Sequence, residues 1–219
     1  MKGLRLHNYW RSTSSWRVRL GLHLKRLQFE YVPVHLLQDG GKQHTEAYRA
    51  LNPMRTVPTL EWTEEDDSTR QLSQSLAILE YLEARVPSPS FFPKDLYLQA
   101  KVRMLAEMVN SGIQPLQNLS VLQRLKNELK GDDKAWAAHW NARGLEALEA
   151  AVKPLAGRYC VGDEVSLADI CLVPQLYGAR RFAVDLTPYP TLLRIEAACN
   201  ELPAFQAAHP DRQPDAVPA

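Results

Sequence analysis

The chain has 219 residues, 45% of them hydrophobic, enough for one large domain or two smaller ones with buried cores. Its formal net charge of +1 gives no general attraction to nucleic acid or to an anionic membrane. No apolar run approaches the ~20 residues of a membrane span, and the opening MKGLRLHNYW lacks the apolar stretch of a secretory signal.

The first 85 residues change period repeatedly. GLRLHN predicts a short strand, and from Ser15 the residues Trp16, Val18, Leu20, Leu22, Leu24 and Leu27 predict a mostly buried helix. FEYVPVHL (Phe29 to Leu36) alternates as the next strand, and QDGGKQH is a turn-rich loop. TEAYRALN reads as one or two helical turns ended by Pro53. TVPTLEW is strand-like around Pro58, EEDDSTR is a polar turn, and QLSQ is a short strand. SLAILEYLEAR (Ser75 to Arg85) is an amphipathic helix with Leu76, Ile78, Leu79 and Leu82 inward. The order is β-α-β followed by β-β-α.

VPSPSFFPKD (Val86 to Asp95) is a proline-rich linker. Every periodic segment after it is helical: Leu98–Val109, Leu119–Leu129, Trp136–Val152, SLADICLVPQLYGARRF and TLLRIEAACNEL. The polar, proline-rich tail HPDRQPDAVPA is expected to fray. A small α/β domain thus precedes an all-α one.

Cys160, Cys171 and Cys199 form no C-x-x-C pair and no zinc spacing, so they read as reduced core thiols of a cytosolic protein. The scattered histidines form no metal-ligand pattern, and G-x-G-x-x-G, the P-loop and G-x-S-x-G are absent.

The stretch NYWRSTSSWRVRL sets Ser12, Thr13, Ser14 and Ser15 between Arg11 and Arg17 at a helix start. Two readings are open. The hydroxyls cap the helix while Arg17 and Arg19 pair with surface acids; or an anion belongs at this positive end of the helix dipole. Pro58 bears on the choice. It belongs at a sheet edge or special turn, and a cis Val57–Pro58 bond would turn the Val57 N–H and C=O outward to pair with an extended peptide. Gln74 and Ser75 sit at a strand-to-helix turn, either as a plain cap or as carboxylate binders. Ser166-Leu-Ala-Asp169 has capping-box form and concerns folding rather than chemistry.

Taken together, YWRSTSSWRVRL, LQDGGKQ, LNPMRTVPTLE, QSLAILEYLE, IQPLQNLSVL, VGDEVSLADICLVPQ and VDLTPYPTL resemble the glutathione transferase superfamily, most specifically its zeta class. The resemblance implies a thioredoxin-like glutathione-binding domain over 1–85, a linker over 86–95 and an all-helical domain over 96–219 carrying part of the substrate site. It implies a cytoplasmic homodimer that uses glutathione as cofactor, with no nucleic-acid or membrane partner. The implied activity is cis–trans isomerisation of a small carboxylate substrate, maleylacetoacetate to fumarylacetoacetate, in tyrosine degradation.

Residue by residue, Ser12 would donate to the glutathione sulfur, with Ser14, Ser15 and nearby N–H groups alongside. Gln43 would hold the glycine end, Val57 (before Pro58) the cysteinyl backbone, and Gln74 and Ser75 the γ-glutamyl group. Gln114, Asn118 and Ser120 would close the site from the helical domain. Arg11 and Arg181 are candidates for the substrate carboxylates, which a guanidinium grips bidentately; for Arg181 a plain surface role is equally open. The class signature Ser-Ser-Cys-x-Trp/His-Arg departs here to Ser12-Thr13-Ser14-Ser15-Trp16-Arg17, so chemistry of a thiol at position 14 is absent.

The chemistry asks little of the protein. A cysteine-type thiol has a pKa of about 8.5, and lowering it by about two units takes ~2.7 kcal/mol of preferential stabilisation. A hydroxyl, a few N–H groups and a helix dipole suffice without a general base. The same thiolate would serve maleylpyruvate isomerisation or attack on α-haloacids. A non-catalytic interaction module is a further alternative, whereas a thiol–disulfide oxidoreductase is disfavoured because the first domain holds no cysteine.

Overall fold

The computed structural model describes residues 1–217. Contacts divide the chain into two units, one of residues 1–89 with the C-terminal segment from Pro203, the other of residues 90–202.

In the first unit β1 (Lys2–Asn8) leads into α1 (Thr13–Leu24) and β2 (Glu30–Pro33). Two short 3-10 turns, Gln38–Gly40 and Lys42–His44, precede α2 (Glu46–Leu51). β3 (Thr59–Thr63), β4 (Thr69–Ser73) and α3 (Ser75–Arg85) complete it. The sheet order is β2-β1-β3-β4, with β1 parallel to β2 and antiparallel to β3, and β3 antiparallel to β4. This is the β-α-β, β-β-α plan of a thioredoxin-like domain. Leu4, Leu6, Leu60 and Trp62 of the sheet pack with Val18 and Leu22 of α1 and Ile78 and Leu82 of α3. Leu24 and Leu76, expected inward, are only half-buried. β2 is shorter than its alternating pattern because Pro33, which has no N–H, ends it. Pro58 lies just ahead of β3, and the Val57–Pro58 bond is cis.

Two expectations need correction here. Arg17 and Arg19 are fully buried rather than surface residues. The tail does not fray over its described residues, and it belongs with the first unit rather than the helical one. A short helix, α9 (Pro203–Ala208), packs on α1, and a 3-10 turn follows at Pro210–Arg212. The Asp215 carboxylate accepts from the Trp10 N–H at 3.2 Å and from the Tyr31 hydroxyl. For residues 218–219 the fraying expectation lies outside the described residues.

The second unit contains α4 (Leu96–Asn110), a 3-10 turn at Gln114–Gln117, α5 (Leu119–Asn127), α6 (Asp133–Val152), α7 (Leu167–Arg181) and α8 (Pro190–Asn200). α7 packs against α4, α6 and α8 and is buried almost all round, as its continuous apolar character requires. Its start is locked by the Asp169 carboxylate, which accepts from Ser166 N–H at 2.8 Å, Ser166 O–H at 2.7 Å and Cys160 N–H at 2.8 Å. Burial pushes the Asp169 carboxyl up; these donors act against it.

Candidate active site

Ser12 is the N-cap of α1, in an extended conformation (φ −71°, ψ 121°), and its Oγ accepts from Ser15 N–H at 3.2 Å. Capping uses the oxygen only as an acceptor, so the Ser12 O–H keeps its own proton to donate. The two readings of the hydroxyl cluster are therefore compatible in one residue. Thr13 and Ser14 open the helix, and first-turn N–H groups have no intrahelical acceptor. Ser12 and Ser14 are half-exposed.

Ser15 differs from its expected place beside the sulfur. It is fully buried, and its Oγ accepts from Tyr9 N–H at 3.5 Å. It lies three residues after Ser12, on the inward face of the helix, with Arg19 one turn further on. Its work is to hold the turn that precedes Ser12. Arg11 is half-exposed, with its guanidinium 5.1 Å from the centre of the Trp10 ring.

Val57 packs in one apolar cluster with Tyr9, Trp10, Val34 and Tyr48, against which Leu36 also rests. Its N–H and C=O enter no hydrogen bond among the described residues. Gln43 is buried, and its Nε2 donates to the Leu36 carbonyl at 3.2 Å. Its Oε1 is a buried acceptor with no partner among the described residues. Gly41, at φ +93°, permits this fold-back: a Cβ there would lie 2.5 Å from Gln43 Nε2.

Gln74 is exposed at φ 73° and ψ 115°, a conformation costing a non-glycine residue about 1–3 kcal/mol. Ser75, the first residue of α3, is buried, and its Oγ accepts from Arg17 Nη1 at 3.4 Å. The Tyr9–Trp10–Val57 cluster and the Arg17–Ser75 contact thus tie the Ser12 turn, the Val57–Pro58 turn, the Gln43 loop and the start of α3 into one assembly. The sequence reading missed the burial of Arg17 and Arg19. The i, i+4 spacing of Ser15 and Arg19 on a helix face that continues to Leu22 was the available signal.

In the helical unit, Gln114 opens the 3-10 turn, Asn118 caps α5 without a side-chain cap bond, and Ser120 is exposed one residue into α5. A ring of buried amides anchors this region. Asn141 Nδ2 donates to Gln117 Oε1 at 2.7 Å, Gln175 Nε2 to Asn141 Oδ1 at 2.6 Å, and Gln117 Nε2 to Gln175 Oε1 at 3.4 Å. Arg181 is the last residue of α7. It is exposed, its guanidinium 5.8 Å from the Phe182 ring, while its neighbour Arg180 pairs with Glu196.

The glutathione S-transferase N-terminal domain model matches residues 11–85, and the C-terminal domain model matches residues 133–203. The chain is 50% identical to the maleylacetoacetate isomerase of Rattus norvegicus over 210 residues, 96% of this chain and 94% of that one. It is 42% identical to a bacterial maleyl pyruvate isomerase of the zeta class, with a TM-score of 0.89 over 97% and 100% of the two chains.

The chain belongs to the zeta class of the glutathione transferase family.

Another member of this family, the maleylacetoacetate isomerase of Anaeromyxobacter dehalogenans, is 57% identical and superposes with a TM-score of 0.90 over 98% of both chains. Its structure was solved with glutathione in the active site. It was also solved with dicarboxyethyl glutathione and citrate, at 56% identity and a TM-score of 0.89 over 99% and 98% of the chains.

Proposed function

We propose that this family member is a glutathione-dependent cis–trans isomerase converting maleylacetoacetate to fumarylacetoacetate, a step of tyrosine degradation carried out by a cytoplasmic homodimer. The carrying observation is the Val57 backbone, without a hydrogen bond among the described residues, in one cluster with the turn that presents Ser12. An extended peptide with a thiol fits that arrangement: main-chain groups for its backbone and a donor at a helix start for its sulfur.

Ser12 O–H donates to the sulfur, helped by the Thr13 and Ser14 N–H groups and the positive end of α1. Gln43 holds the glycine end, Val57 beside Pro58 the cysteinyl backbone, and Gln74 and Ser75 the γ-glutamyl end. Gln114, Asn118 and Ser120 are the helical unit's contribution. When bound, glutathione supplies the nucleophilic sulfur that adds reversibly to the cis double bond. Arg11 grips a substrate carboxylate, with Arg181 as the second candidate, and a guanidinium near the reacting carbonyl favours the charge that builds there. Ser15, being buried, supports the turn and does not touch the sulfur. The buried thiols of Cys160, Cys171 and Cys199, held protonated by burial at Cys160 and Cys199, fit a reducing compartment.

The similarity to a maleyl pyruvate isomerase favours a second reading, isomerisation of maleylpyruvate. Pure protein assayed on both substrates, with and without glutathione, decides between them. The expected result is glutathione-dependent turnover, faster on maleylacetoacetate. A reversed preference assigns the second substrate, and no glutathione-dependent turnover of either ends the isomerase reading.

A further inference from the structure

The turn from Tyr9 to Ser12 is held by two charged side chains, Arg19 of α1 and Asp215 of the C-terminal segment. Arg19, fully buried on α1, donates from Nη2 to Trp10 O at 2.8 Å and from Nη1 to Tyr9 O at 3.4 Å and Asn8 Oδ1 at 2.9 Å. Its Nε donates to Ala208 O, at the end of α9, at 3.2 Å. Asp215 takes the other side. One carboxylate oxygen accepts from Trp10 N–H at 3.2 Å, and the second accepts from the hydroxyl of Tyr31 on β2. Burial and this hydrogen bond both push the Tyr31 hydroxyl up, so it stays a donor. Gln213 Nε2 donates to Ala207 O at 3.0 Å and His209 O at 2.7 Å, closing the segment on itself. Ala216 packs on the Tyr9–Trp10–Val57 cluster.

We propose that the C-terminal segment is a strap that positions the thiol-binding turn, with Asp215 and Arg19 as positioning residues for Ser12. This rests on the reading of Ser12 as the sulfur's hydrogen-bond donor. The Trp10 N–H precedes Ser12 by two residues, and Ser12 N–H itself donates to Tyr9 O at 3.0 Å. The carbonyls of residues 9 and 10 are gripped from below by a guanidinium, and the amide of residue 10 is gripped from the tail by a carboxylate. Hydrogen bonds to charged partners are the stronger kind. Catalytic geometry tolerates little drift: a misplacement of about 1 Å can cost on the order of 100-fold in rate. Without Asp215 the Trp10 amide and Tyr31 hydroxyl lose their acceptor together, and Arg19 is the one charged group of the two that still holds the turn. The same tail that seats Asp215 also packs Ala216 on the cluster that joins Tyr9 and Trp10 to Val57.

The test compares the full chain with Asp215→Ala, Asp215→Asn and Tyr31→Phe. It reads the pKa of bound glutathione's thiol from thiolate absorbance, kcat and KM on the isomerase substrate, melting temperature, and hydrogen exchange at the amides of residues 10–12. Asp215→Ala is expected to raise the bound thiol's pKa by about one unit. It should lower kcat about tenfold, with KM little changed and the Trp10 amide exchanging faster. Tyr31→Phe removes one hydrogen bond of the two and should move each readout the same way by less, which keeps the claim open to refutation should Asp215→Ala fold poorly. A lower melting temperature with the thiol's pKa and Trp10 exchange unchanged would overturn the proposal, because the tail would then only add stability. Glutathione bound as a neutral thiol to the unaltered chain would instead end the Ser12 reading. In that case the exchange data alone judge the strap: faster Trp10 exchange in Asp215→Ala keeps it, and equal exchange ends it.

Discussion

On the proposed function Ser12 carries two jobs through one oxygen, and they can be separated experimentally. As N-cap it accepts Ser15 N–H, and loss of such a cap costs about 1 kcal/mol. As sulfur donor it uses the proton that capping leaves untouched. Ser12→Asp retains a strong cap acceptor but offers no proton and adds a negative charge beside the sulfur. Its melting temperature should stay close to that of the parent chain, while the bound thiol's pKa rises above its free value of about 8.5 and activity disappears. Ser12→Ala should lose both: roughly 1 kcal/mol of stability and on the order of 100-fold in kcat/KM. Thermal melts paired with thiolate titration on the two variants make the check. If Ser12→Asp still ionises bound glutathione, another group holds the sulfur.

At the scale of elements, the start of α3 shows what the proposed site costs the fold. Gln74 occupies a conformation that only glycine adopts freely, although no glycine stands there. Gln74→Gly should therefore relax the backbone and gain up to about 1 kcal/mol of stability, while the lost side-chain amide weakens glutathione binding. Isothermal titration beside a denaturant melt tests this trade; tighter binding in the glycine variant would remove Gln74 from the site. The order of elements was legible because period-two and period-3.6 patterns are local, and so were the start of α3 and the capping box at Ser166 and Asp169. The hydroxyl cluster, Val57–Pro58 and Gln74–Ser75 were legible as a set because each sits at an element boundary where free backbone groups gather. Ser75 as a partner of Arg17 and Ala208 as a partner of Arg19 were not legible, since they lie 58 and 189 residues away. Nor was the seat of Asp215, 205 residues from Trp10: its proline-rich surroundings resemble any polar tail, and only the folded sheet brings Tyr31 and Trp10 to it. Ser15 was misplaced because four consecutive hydroxyls look alike in a string, whereas a helix turns one of them inward.

For the molecule as a whole, the first unit carries a titratable weakness. His7, His23 and His209 all belong to it, and burial is the largest influence holding each below the ordinary histidine value of 6.5. At His7, Glu61 and Glu30 pull the other way and Arg5 adds to the lowering; at His23 Arg19 adds to it. At His209, Asp211 opposes the shift while Arg212 and Arg19 reinforce it. His7 and His23 lie in β1 and α1, and His209 caps the turn of the C-terminal segment through Nδ1, which accepts Asp211 N–H at 3.3 Å only while unprotonated. With folded values below unfolded ones, the unfolded chain binds more protons once the pH falls to the unfolded value. Stability is therefore fully present above about pH 6.5 and is lost as the pH falls toward the folded values. The melting temperature should drop between about pH 7.5 and pH 5.5, by roughly 2–4 °C for each kcal/mol lost in a chain of this size. Replacing His7, His23 and His209 together by glutamine should flatten that dependence even if the variant melts lower throughout. Hydrogen exchange followed over the same range should show the loss first in residues 1–89 and 203–217, because the depressed histidines lie there. Acid loss confined to residues 90–202, or an undiminished pH slope in the triple variant, would assign the weakness to other groups.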